Sequence, residues 1–411
     1  MTQPADDPRL LAARLVAGVL TEGRMLADAP QAGGDPAVRA RALRLAQLTL
    51  RHFSRTEAIL SPLLRKPPPP LPMALLRVAT VEMLEAGAPP HGVVNAVVSL
   101  LRAGPKTAPF AGMANAVLRK VAAHPGWAEM PAQRLPGWLR RRLRGIWGED
   151  VVQAIEAAQH QTPPVDLTLK PGAAPVPDAQ ALPGGSLRLT GPVQVSALPG
   201  FEAGDWWVQD AAAALPAGML ALHPGETALD LCAAPGGKTM QMAATGATVT
   251  AVDLSAPRLE RVRANLARTG LSATVVCADA LDWAPPVPVD AVLLDAPCSA
   301  TGTIRRHPDL PFLRKPADVA ALVDLQGLLL DRALGFLKPG GRLVYCTCSL
   351  LPEEGEDQIA AALTRHPGLL AQTPPQPFGR ATAEGGWRTR PDDLPGGVDG
   401  FYMALLRRDA A

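Results

Sequence analysis

The chain is poor in aromatic residues, cysteines and long apolar runs. Phe, Trp and Tyr together make up 4% of its 411 residues, and none of the five cysteines forms a CxxC pair. So few cysteines in a chain of this length argue against a disulfide framework and against a structural zinc site. No apolar run approaches the roughly 18 residues that cross a bilayer, and the opening MTQPADDPRL has an acidic pair where a signal peptide carries basic residues. We therefore expect a cytoplasmic protein with reduced thiols, no metal and no membrane partner.

The two ends of the chain differ in charge. Residues 1–150 carry 20 Lys and Arg against 11 Asp and Glu, a difference of +9, and residues 151–411 carry 20 against 27, a difference of −7. A basic module joined to an acidic one suggests that the front part binds a polyanion, although solvated basic helix faces explain the asymmetry equally well. With 47% hydrophobic residues, the chain is long enough for two or three domains of roughly 100 to 200 residues each.

The first third of the chain has the periodicity of helices. From Pro8 to about Ala123 apolar residues recur at spacings of three and four, as in MALLRVATVEMLEAG and HGVVNAVVSLLRAG. Glycine and proline interrupt this pattern where helices should end, at Gly33-Gly34, Pro67 to Pro70, Gly87 to Pro90 and Gly104-Pro105. The pattern predicts an all-α bundle over residues 1–135, followed from Pro136 by a basic linker helix or helix pair.

The rest of the chain predicts strands as well as helices. Short β-like pieces, VDLTLK, SLRLT, VQVS and DWWVQD, lie between Pro/Gly turns from about Thr162 to Val208 and predict a small α+β subdomain. From Ala211 strand and helix patterns alternate, which is typical of βαβ units and a doubly wound parallel sheet. The predicted fold is multi-domain: the all-α bundle, the linker helices with the small α+β subdomain over residues 136–215, and an α/β Rossmann-like domain over residues 216–411.

A glycine turn follows the first strand of this α/β domain. The stretch LDLCAAPGGKT, from Leu229 to Thr239, predicts a strand, a tight turn at Pro235-Gly236-Gly237 and a new helix. Its glycines permit close approach of a ligand to the backbone, and the free N–H groups of a helix start favour an anion. The turn lacks the GxGxxG order that seats a pyrophosphate, which disfavours an NAD-binding domain.

Acidic residues end the next two predicted strands. Asp253 lies roughly 20 residues beyond the glycine turn, where a carboxylate can accept hydrogen bonds from both hydroxyls of a ribose. The alternative is that Asp253 caps the following helix. Asp279 ends the third strand in a similar place.

Two cysteine motifs follow the last two parallel strands. They are DAPCSATG, from Asp295 to Gly302, and YCTCS, from Tyr345 to Ser349. A lone buried cysteine is usually a core residue, but each motif places a cysteine just past a strand end, at the same crevice as the glycine turn. We therefore interpret Cys298 and Cys348 as functional.

Together with CAAPGGK, these motifs resemble the NOL/NOP/Sun family of RNA 5-methylcytosine methyltransferases. The front helices are similar to a NusB-like RNA-binding domain, as in bacterial members that act on small-subunit ribosomal RNA, and the resemblance covers nearly the full length. GDWWVQDAAAAL and the terminal VDGFYMALLRR also fit the family. The resemblance implies a class I methyltransferase domain, S-adenosylmethionine as cofactor and RNA, favouring 16S rRNA, as partner. It implies cofactor contacts from Cys232, Ala233, Ala234, Pro235, Gly236, Gly237, Lys238, Asp253, Arg258, Asp279 and Asp295.

The chemistry of cytosine explains why such a site needs thiols. C5 of cytosine is a poor nucleophile until another nucleophile adds at C6 and makes C5 able to attack a sulfonium methyl. The resemblance implies that Cys348 attacks C6, that Cys298 assists release of the product, and that Asp295 binds the N3/N4 edge of a flipped base. Asp295 must be protonated if it donates to N3.

The other three cysteines have different predicted roles. Cys232 and Cys277 lie within apolar strand context, so we interpret them as core residues. Cys346 departs from the family pattern, which usually has a small residue there. Because residues i and i+2 of a strand share a face, Cys346 can reach the side of Cys348, but the resemblance favours Cys348 as nucleophile.

The basic residues around the motifs leave alternatives open. Lys238 is expected to stabilise a carboxylate, either that of the cofactor or that of Asp295. Arg305, Arg306 and His307 follow the catalytic motif and either meet phosphate or form a solvated basic loop.

The sequence also has to be weighed against other functions. A non-catalytic RNA-binding assembly factor should have lost at least one of Asp253, Asp295, Cys298 and Cys348, and all four are present. The same chemistry on transfer RNA or another RNA stays open, because the NusB-like front favours ribosomal RNA only by analogy. DNA is disfavoured, since DNA cytosine methylases attack from the motif equivalent to DAPCS. The sequence leaves the oligomeric state open, with a monomer favoured.

Overall fold

The computed structural model describes residues 7–28, 35–191 and 193–408. The chain forms two compact units. The first, called here the helical unit, runs to Thr162 and includes Ile304–Arg314; the second, the sheet unit, comprises Pro163–Thr303 and the residues from Lys315 onward. The predicted break at Gly33-Gly34 lies outside the described residues. No helix among the described residues is long and apolar enough to cross a membrane.

Eight helices account for most of the described helical unit, which confirms the predicted all-α bundle. Two of them start with an aspartate whose carboxylate accepts a backbone N–H, Asp7 from Arg9 and Asp35 from Ala37, followed by proline in the first turn. The helices are α1 (Pro8–Glu22), α2 (Pro36–Arg51), α3 (Phe53–Leu60), α4 (Pro70–Leu84), α5 (Pro90–Ala103), α6 (Ala111–Ala122), α7 (Gly137–Trp147) and α8 (Glu149–His160).

Helix α4 lies at the centre of the helical unit. It is apolar around most of its circumference, and its residues from Pro72 to Met83 are buried with the exception of Arg77. Its buried carboxylate, Glu82, is paired on both oxygens: Arg9 Nε lies 2.6 Å from Oε2 and Arg41 Nη2 lies 2.9 Å from Oε1. The two ion pairs compensate for burying this charge and join α1 and α2 to α4.

The sheet unit contains two sheets. The short helix α12 (Leu310–Leu313) belongs to the helical unit. The strands and helices of the sheet unit are β1 (Asp166–Leu169), β2 (Ala179–Ala181), β3 (Leu187–Leu189), β4 (Trp206–Val208), α9 (Ala211–Met219), β5 (Thr227–Leu231), α10 (Gly237–Ala243), β6 (Thr248–Asp253), α11 (Ala256–Thr269), β7 (Thr274–Cys277), β8 (Val289–Asp295), α13 (Pro316–Leu334), β9 (Leu337–Thr347), α14 (Glu356–Arg365), β10 (Leu369–Ala371), β11 (Arg380–Ala381), β12 (Trp387–Arg388) and β13 (Tyr402–Arg408).

The large sheet is doubly wound, as the alternating pattern predicts. Its parallel part has the order β7-β6-β5-β8-β9, so the strand order reverses at β5. The terminal VDGFYMALLRR supplies β13, which pairs antiparallel with β9 and makes the sheet mixed. The small sheet is antiparallel, in the order β2-β3-β1-β4. The prediction of a strand at VQVS is wrong: Val195–Ala197 forms a 3-10 turn closed by Leu198 N donating to Val195 O, so its backbone is satisfied locally.

The segment Ile304–Arg314 belongs to the helical unit although it closely follows the motif DAPCSATG in sequence. Arg51 Nη2 donates to Arg305 O at 2.7 Å, and Asp309 Oδ2 accepts from Leu26 N at 2.9 Å. Arg305 itself is buried, with 1% of its surface exposed, so the expectation of a solvated or phosphate-facing position is wrong for this residue. The compact division also differs from the predicted domain boundaries, because α7 and α8 fall in the helical unit and the small sheet falls in the sheet unit.

Two histidines lie side by side in the helical unit, His52 buried and His160 half-buried. The rings of His52 and His160 meet edge to face, 4.4 Å apart. Burial lowers the pKa of His52 to about 3, with further contributions from His160 and two arginines, and burial lowers the pKa of His160 to about 4. Both histidines are therefore neutral in the folded unit at neutral pH.

We predict that the helical unit is acid-labile because of this pair. An unfolded chain binds a proton at each histidine below about pH 6.5, whereas the folded unit does not until about pH 3 to 4. Above about pH 6.5 the two histidines do not lower the free energy of unfolding. Below that pH the free energy of unfolding decreases, by up to about 1.4 kcal/mol per pH unit for each histidine. Urea unfolding of the full chain between pH 4 and 7 measures this slope. His52→Phe should reduce it, and the exposed His91→Gln on α5 should not; an unchanged slope in His52→Phe contradicts the prediction.

Candidate active site

The predicted site residues meet at the carboxyl edge of the parallel sheet. Asp253 ends β6, Asp295 ends β8, and Cys348 follows the end of β9. Strand β5 lies between β6 and β8, where the strand order reverses, and leads directly into the glycine turn. In open α/β sheets, ligands bind in the crevice at this switch point. Asp279 lies two residues beyond β7, at the same edge, and its Oδ1 accepts from Leu281 N at 2.9 Å.

Two neighbouring side chains hold the backbone of the glycine turn, one at an N–H group and one at a carbonyl oxygen. Ala234 N donates to Asp253 Oδ2 at 3.1 Å, and Ala234 O accepts from Arg258 Nη2 at 2.6 Å. Gly236 has φ +100°, and a Cβ added there would lie 3.2 Å from Val262 Cγ1. The turn therefore requires glycine at 236 both for its backbone conformation and for its close approach to α11.

The remaining predicted members of the turn have structural partners in the sheet unit. Ala233 is buried and its N donates to Val252 O at 3.1 Å, while Pro235 O accepts from Asn265 Nδ2 at 3.1 Å. Gly237 begins α10, and Cys232 takes a left-handed conformation with φ 61°. These contacts fix the shape of the turn, and its contacts with a cofactor stay predictions.

Asp253 does not cap α11. The helix begins at Ala256 with Ser255 as its N-cap, whereas Asp253 Oδ1 accepts from Ser255 N at 2.9 Å. Asp253 has 4% of its surface exposed, and Arg258 Nη1 lies 3.7 Å from its Oδ2. Its carboxylate thus orders the glycine turn and the end of β6, which makes the capping alternative wrong.

Lys238 pairs with Asp295, which answers the question that the sequence leaves open. Lys238 Nζ lies 2.8 Å from Asp295 Oδ2 and 5.2 Å from the centre of the Phe401 ring. Burial lowers the pKa of Lys238, but the charge of Asp295, its hydrogen bond and smaller contributions from neighbouring groups together raise the pKa above its ordinary value. Lys238 is therefore a permanent cation beside Asp295 at neutral pH.

Cys346 lies against the same carboxylate. Its thiol donates to Asp295 Oδ1 across 3.5 Å, and the residue is fully buried. Burial and then the charge of Asp295 raise its pKa well above the ordinary value. Cys346 therefore stays a thiol at neutral pH, which disfavours it as a nucleophile.

The two motif cysteines lie next to one another. Cys298 Sγ and Cys348 Sγ are 3.4 Å apart, and both residues are half-buried. The hydrogen bond with Cys348, burial and the charge of Cys348 raise the pKa of Cys298 well above its ordinary value. Cys298 therefore stays a thiol at neutral pH, and it can donate a hydrogen bond to Cys348.

The predictions for the remaining cysteines fare differently. Cys277 is exposed, because β7 is the edge strand of the sheet, so its interpretation as a core residue is wrong. Cys232 is half-buried against the core of the sheet unit, and burial followed by the charges of Asp295 and Asp253 raises its pKa to about 12.

Sequence reasoning missed the contacts that hold the two cysteine loops together. Gly302 N donates to Cys348 O at 3.0 Å, and Gly400 N donates to Gly302 O at 2.9 Å. A Cβ at Gly302 would lie 1.9 Å from Gly400 O. The glycines in ATG and VDGF were the available signal, because close backbone approach is one reason for glycine. Sequence reasoning also missed Glu354. The acidic segment LPEEGE, shortly after YCTCS, was the pattern that could have indicated it.

Comparison with known proteins gives concordant matches for both parts of the chain. Residues 217–407 match a family model described as 16S rRNA methyltransferase RsmB/F, and residues 6–123 match the NusB family. The ribosomal RNA small subunit methyltransferase B of Xanthomonas campestris pv. campestris is 38% identical and is aligned over 97% of this chain and 96% of that protein. The protein of the same name from Pseudomonas syringae pv. tomato is also 38% identical, over 98% of both chains.

A solved structure is also similar to this chain. A methyltransferase homolog protein from Pyrococcus horikoshii is 29% identical, has a TM-score of 0.56, and covers 65% of this chain and 93% of its own.

The close approach of Gly302 to Gly400 generates a stability prediction. In Gly302→Ala the added methyl group would overlap the carbonyl oxygen of Gly400, so we expect the free energy of unfolding to decrease by roughly 1 to 3 kcal/mol. Gly327→Ala in α13 is the matched control, since its Cβ would make only ordinary contact. Because alanine is favoured over glycine inside a helix, this change should raise the free energy of unfolding by about 0.5 to 1 kcal/mol. Urea unfolding of both variants measures the difference, and equal stability of Gly302→Ala and the parent chain would contradict the prediction.

Proposed function

Because the chain belongs to the family of ribosomal RNA small subunit methyltransferase B, we propose that it methylates C5 of a cytosine in RNA through a covalent adduct with Cys348. The observation that carries the proposal is the pair of sulfurs 3.4 Å apart, at the ends of neighbouring strands and beside the Lys238–Asp295 ion pair. One sulfur can bond to C6 while the other acts on the same base. A single catalytic thiol would not need a second one at this distance.

The edge of the sheet fits the cofactor, S-adenosylmethionine. Asp253 presents a carboxylate at the end of β6, and Gly236 keeps the turn free of a side chain at the end of β5. These residues would hold the ribose hydroxyls and the polar part of the cofactor, with Asp279 further along the edge. When bound, S-adenosylmethionine supplies the methyl group that C5 receives.

Cys348 is the cysteine best suited to attack C6. A thiolate rather than a thiol is the nucleophile, and the raised pKa values of Cys298 and Cys346 keep both of these protonated at neutral pH. The sulfurs of Cys298 and Cys348 are 3.4 Å apart, so the Cys298 thiol can donate a hydrogen bond that stabilises a negative charge on Cys348. Attack of the Cys348 thiolate forms the S–C6 bond and moves electron density to C5.

Cys298 then completes the reaction. Its pKa is raised by the hydrogen bond with Cys348, by burial and then by the charge of that sulfur. Once Cys348 is bonded to C6 it carries no charge, so the pKa of Cys298 falls and its thiolate becomes accessible as a base. Removal of the C5 proton by Cys298 re-forms the C5–C6 double bond, and the S–C6 electron pair returns to Cys348. The net proton of the reaction leaves to solvent.

Asp295 binds the edge of the flipped base in this proposal. Lys238 Nζ lies 2.8 Å from its Oδ2, and the carboxylate form of Asp295 accepts a hydrogen bond from the exocyclic N4 amino group of cytosine. Donation to N3 needs the protonated form of Asp295. Lys238 and the Cys346 thiol occupy one oxygen each and so hold the carboxylate in place.

The substrate favoured by the proposal is 16S rRNA. Two observations support it: the relatives are named for the small-subunit ribosomal RNA, and the front of the chain is NusB-like and basic. Bisulfite sequencing of ribosomal RNA from a deletion strain should show one or more cytosines that lose protection. If ribosomal RNA is unchanged and a transfer RNA loses protection, the substrate assignment is wrong while the chemistry stands.

The role of Asp253 can be tested by calorimetry. Asp253→Ala removes a charge-assisted hydrogen-bond acceptor, so we expect S-adenosylmethionine to bind roughly 10- to 100-fold more weakly. Cys348→Ala is the matched control and should bind the cofactor with the affinity of the parent chain. NAD should give no heat with any of the three proteins. Unchanged affinity in Asp253→Ala would leave Asp253 only its role in ordering the glycine turn.

The two cysteines should give different products when each is removed. Cys348→Ala cannot form the adduct, so it should be inactive and free of bound RNA. Cys298→Ala should attack and methylate but fail to eliminate, which leaves protein covalently joined to RNA. Denaturing gel electrophoresis with labelled RNA shows such an adduct as a slow band, and the double variant should lack it. A band from Cys348→Ala alone would reverse the roles, and full activity in every variant would refute the covalent mechanism.

A further inference from the structure

A buried carboxylate lies behind the two catalytic cysteines. Glu354 has 0% of its surface exposed and ends the 3-10 turn Pro352–Glu354 that follows β9. Its Oε1 accepts from Ser299 N at 2.8 Å and from Gln326 Nε2 at 3.1 Å. Its Oε2 accepts from Ser299 Oγ and from Ser349 Oγ, each at 2.5 Å. All four donors are neutral, so these contacts satisfy the carboxylate through hydrogen bonds rather than an ion pair.

The two serines are the residues that directly follow the two cysteines. Ser299 follows Cys298 in the loop after β8, and Ser349 follows Cys348 in the loop after β9. Their hydroxyl oxygens are 3.2 Å apart and share one oxygen of Glu354. One side chain therefore connects the two loops, through the backbone and hydroxyl of Ser299 and the hydroxyl of Ser349, immediately beside the reacting sulfurs.

Glu354 is itself anchored to strand β9. Its carbonyl oxygen accepts from Tyr345 Oη at 2.9 Å and from Thr347 Oγ1 at 3.0 Å. Gln326 on α13 also donates to Pro297 O at 2.8 Å, so the loop that carries Cys298 is held from a third element. The connection between the cysteine loops thus rests on a strand and a helix, which are more rigid than the loops.

We propose that Glu354 is a positioning residue that sets the distance between Cys298 and Cys348. The proposal rests on the covalent mechanism proposed above for its catalytic meaning, but the sulfur–sulfur distance is a property of the free protein. A carboxylate suits this position because both of its oxygens accept, whereas the amide of glutamine would turn an N–H₂ group toward one pair of donors. The serine hydroxyls would then have to rotate and accept, which changes the geometry of both loops.

The charge of Glu354 also acts on one of the sulfurs. After the hydrogen bond with Cys348, burial and the charge of Cys348, the charge of Glu354 contributes to the raised pKa of Cys298. Glu354→Gln should therefore shift the alkylation of Cys298 toward lower pH, an effect that a purely structural carboxylate remote from the sulfurs would not produce.

The sulfur–sulfur distance can be tested without RNA by a dithiol reagent. Phenylarsine oxide bridges two neighbouring thiols: two S–As bonds form, and the oxide oxygen leaves with both thiol protons as water, with no change in oxidation state. In the full-length protein we expect capture of the Cys298–Cys348 pair, lost in Cys298→Ser and in Cys348→Ser. Glu354→Gln should slow this bridging at least about 10-fold, while alkylation of Cys348 by the monofunctional iodoacetamide keeps its rate. Glu353→Gln, one residue away, is the charge-matched control and should bridge like the parent chain.

Turnover gives the catalytic arm of the test. Because a misplacement of about 1 Å can cost roughly 100-fold in rate, Glu354→Gln should lower kcat by roughly 10- to 100-fold and leave the KM for S-adenosylmethionine unchanged. Glu354→Asp, with a shorter side chain, should also be slow. Cofactor calorimetry and thermal unfolding verify that each variant is folded, and Ser349→Ala replaces any variant that is not.

The outcomes separate this proposal from the proposed function. If Glu354→Gln bridges at the parent rate, or if bridging and monofunctional alkylation slow equally, Glu354 does not set the distance and the proposal is overturned. If bridging slows but Cys298→Ala forms no RNA adduct, the positioning role stands and the covalent mechanism fails. Slow bridging together with lost turnover and an intact adduct in Cys298→Ala supports both.

Discussion

The parallel pairing of β8 with β9 determines the geometry of the catalytic edge. Its register sets Asp295 opposite Cys346, and Ala296 N donates to Cys346 O at 2.9 Å just beyond the last pair. The two strands therefore end at the same level, and Cys298 and Cys348 follow within three residues. A shift of this register by one residue would turn Cys346 away from the carboxylate and separate the sulfurs, because alternate residues of a strand face opposite sides.

This edge also concentrates negative charge in a buried setting. Burial raises the pKa of Asp230 to about 7 despite its hydrogen bond from Thr239, and the neighbouring carboxylates raise the pKa of Cys232 and Cys346 after burial. The ammonium of Lys238 is the cation placed among them, 2.8 Å from Asp295. Burial and this negative field keep the thiols of Cys232 and Cys346 protonated at neutral pH.

Local patterns in the sequence were sufficient for the elements and for the edge where the motifs meet. The period of the apolar residues predicts the helices and the five parallel strands, and strand ends place the motifs, because the carboxyl ends of parallel strands share an edge. Contacts between distant positions were not predictable in this way. Arg305 is buried through partners such as Arg51, 254 residues earlier, and Glu354 acquires its role only when Ser299 comes within 2.8 Å. The exposure of Cys277 depends on which strand is the edge, and an apolar strand pattern does not carry that information.

The chain leaves the sheet unit directly after the loop that carries DAPCSATG. Thr303 closes the loop of the sheet unit, and the next residue, Ile304, already belongs to the helical unit. Phe312 packs against Phe53 with ring centres 5.0 Å apart, and Ile304 and Leu310 are buried. Removing the front of the chain would expose these three apolar side chains only a few residues from Gly302, which is bonded to the carbonyl of Cys348. The segment Ile304–Arg314 therefore depends on the first part of the chain to bury its apolar side chains.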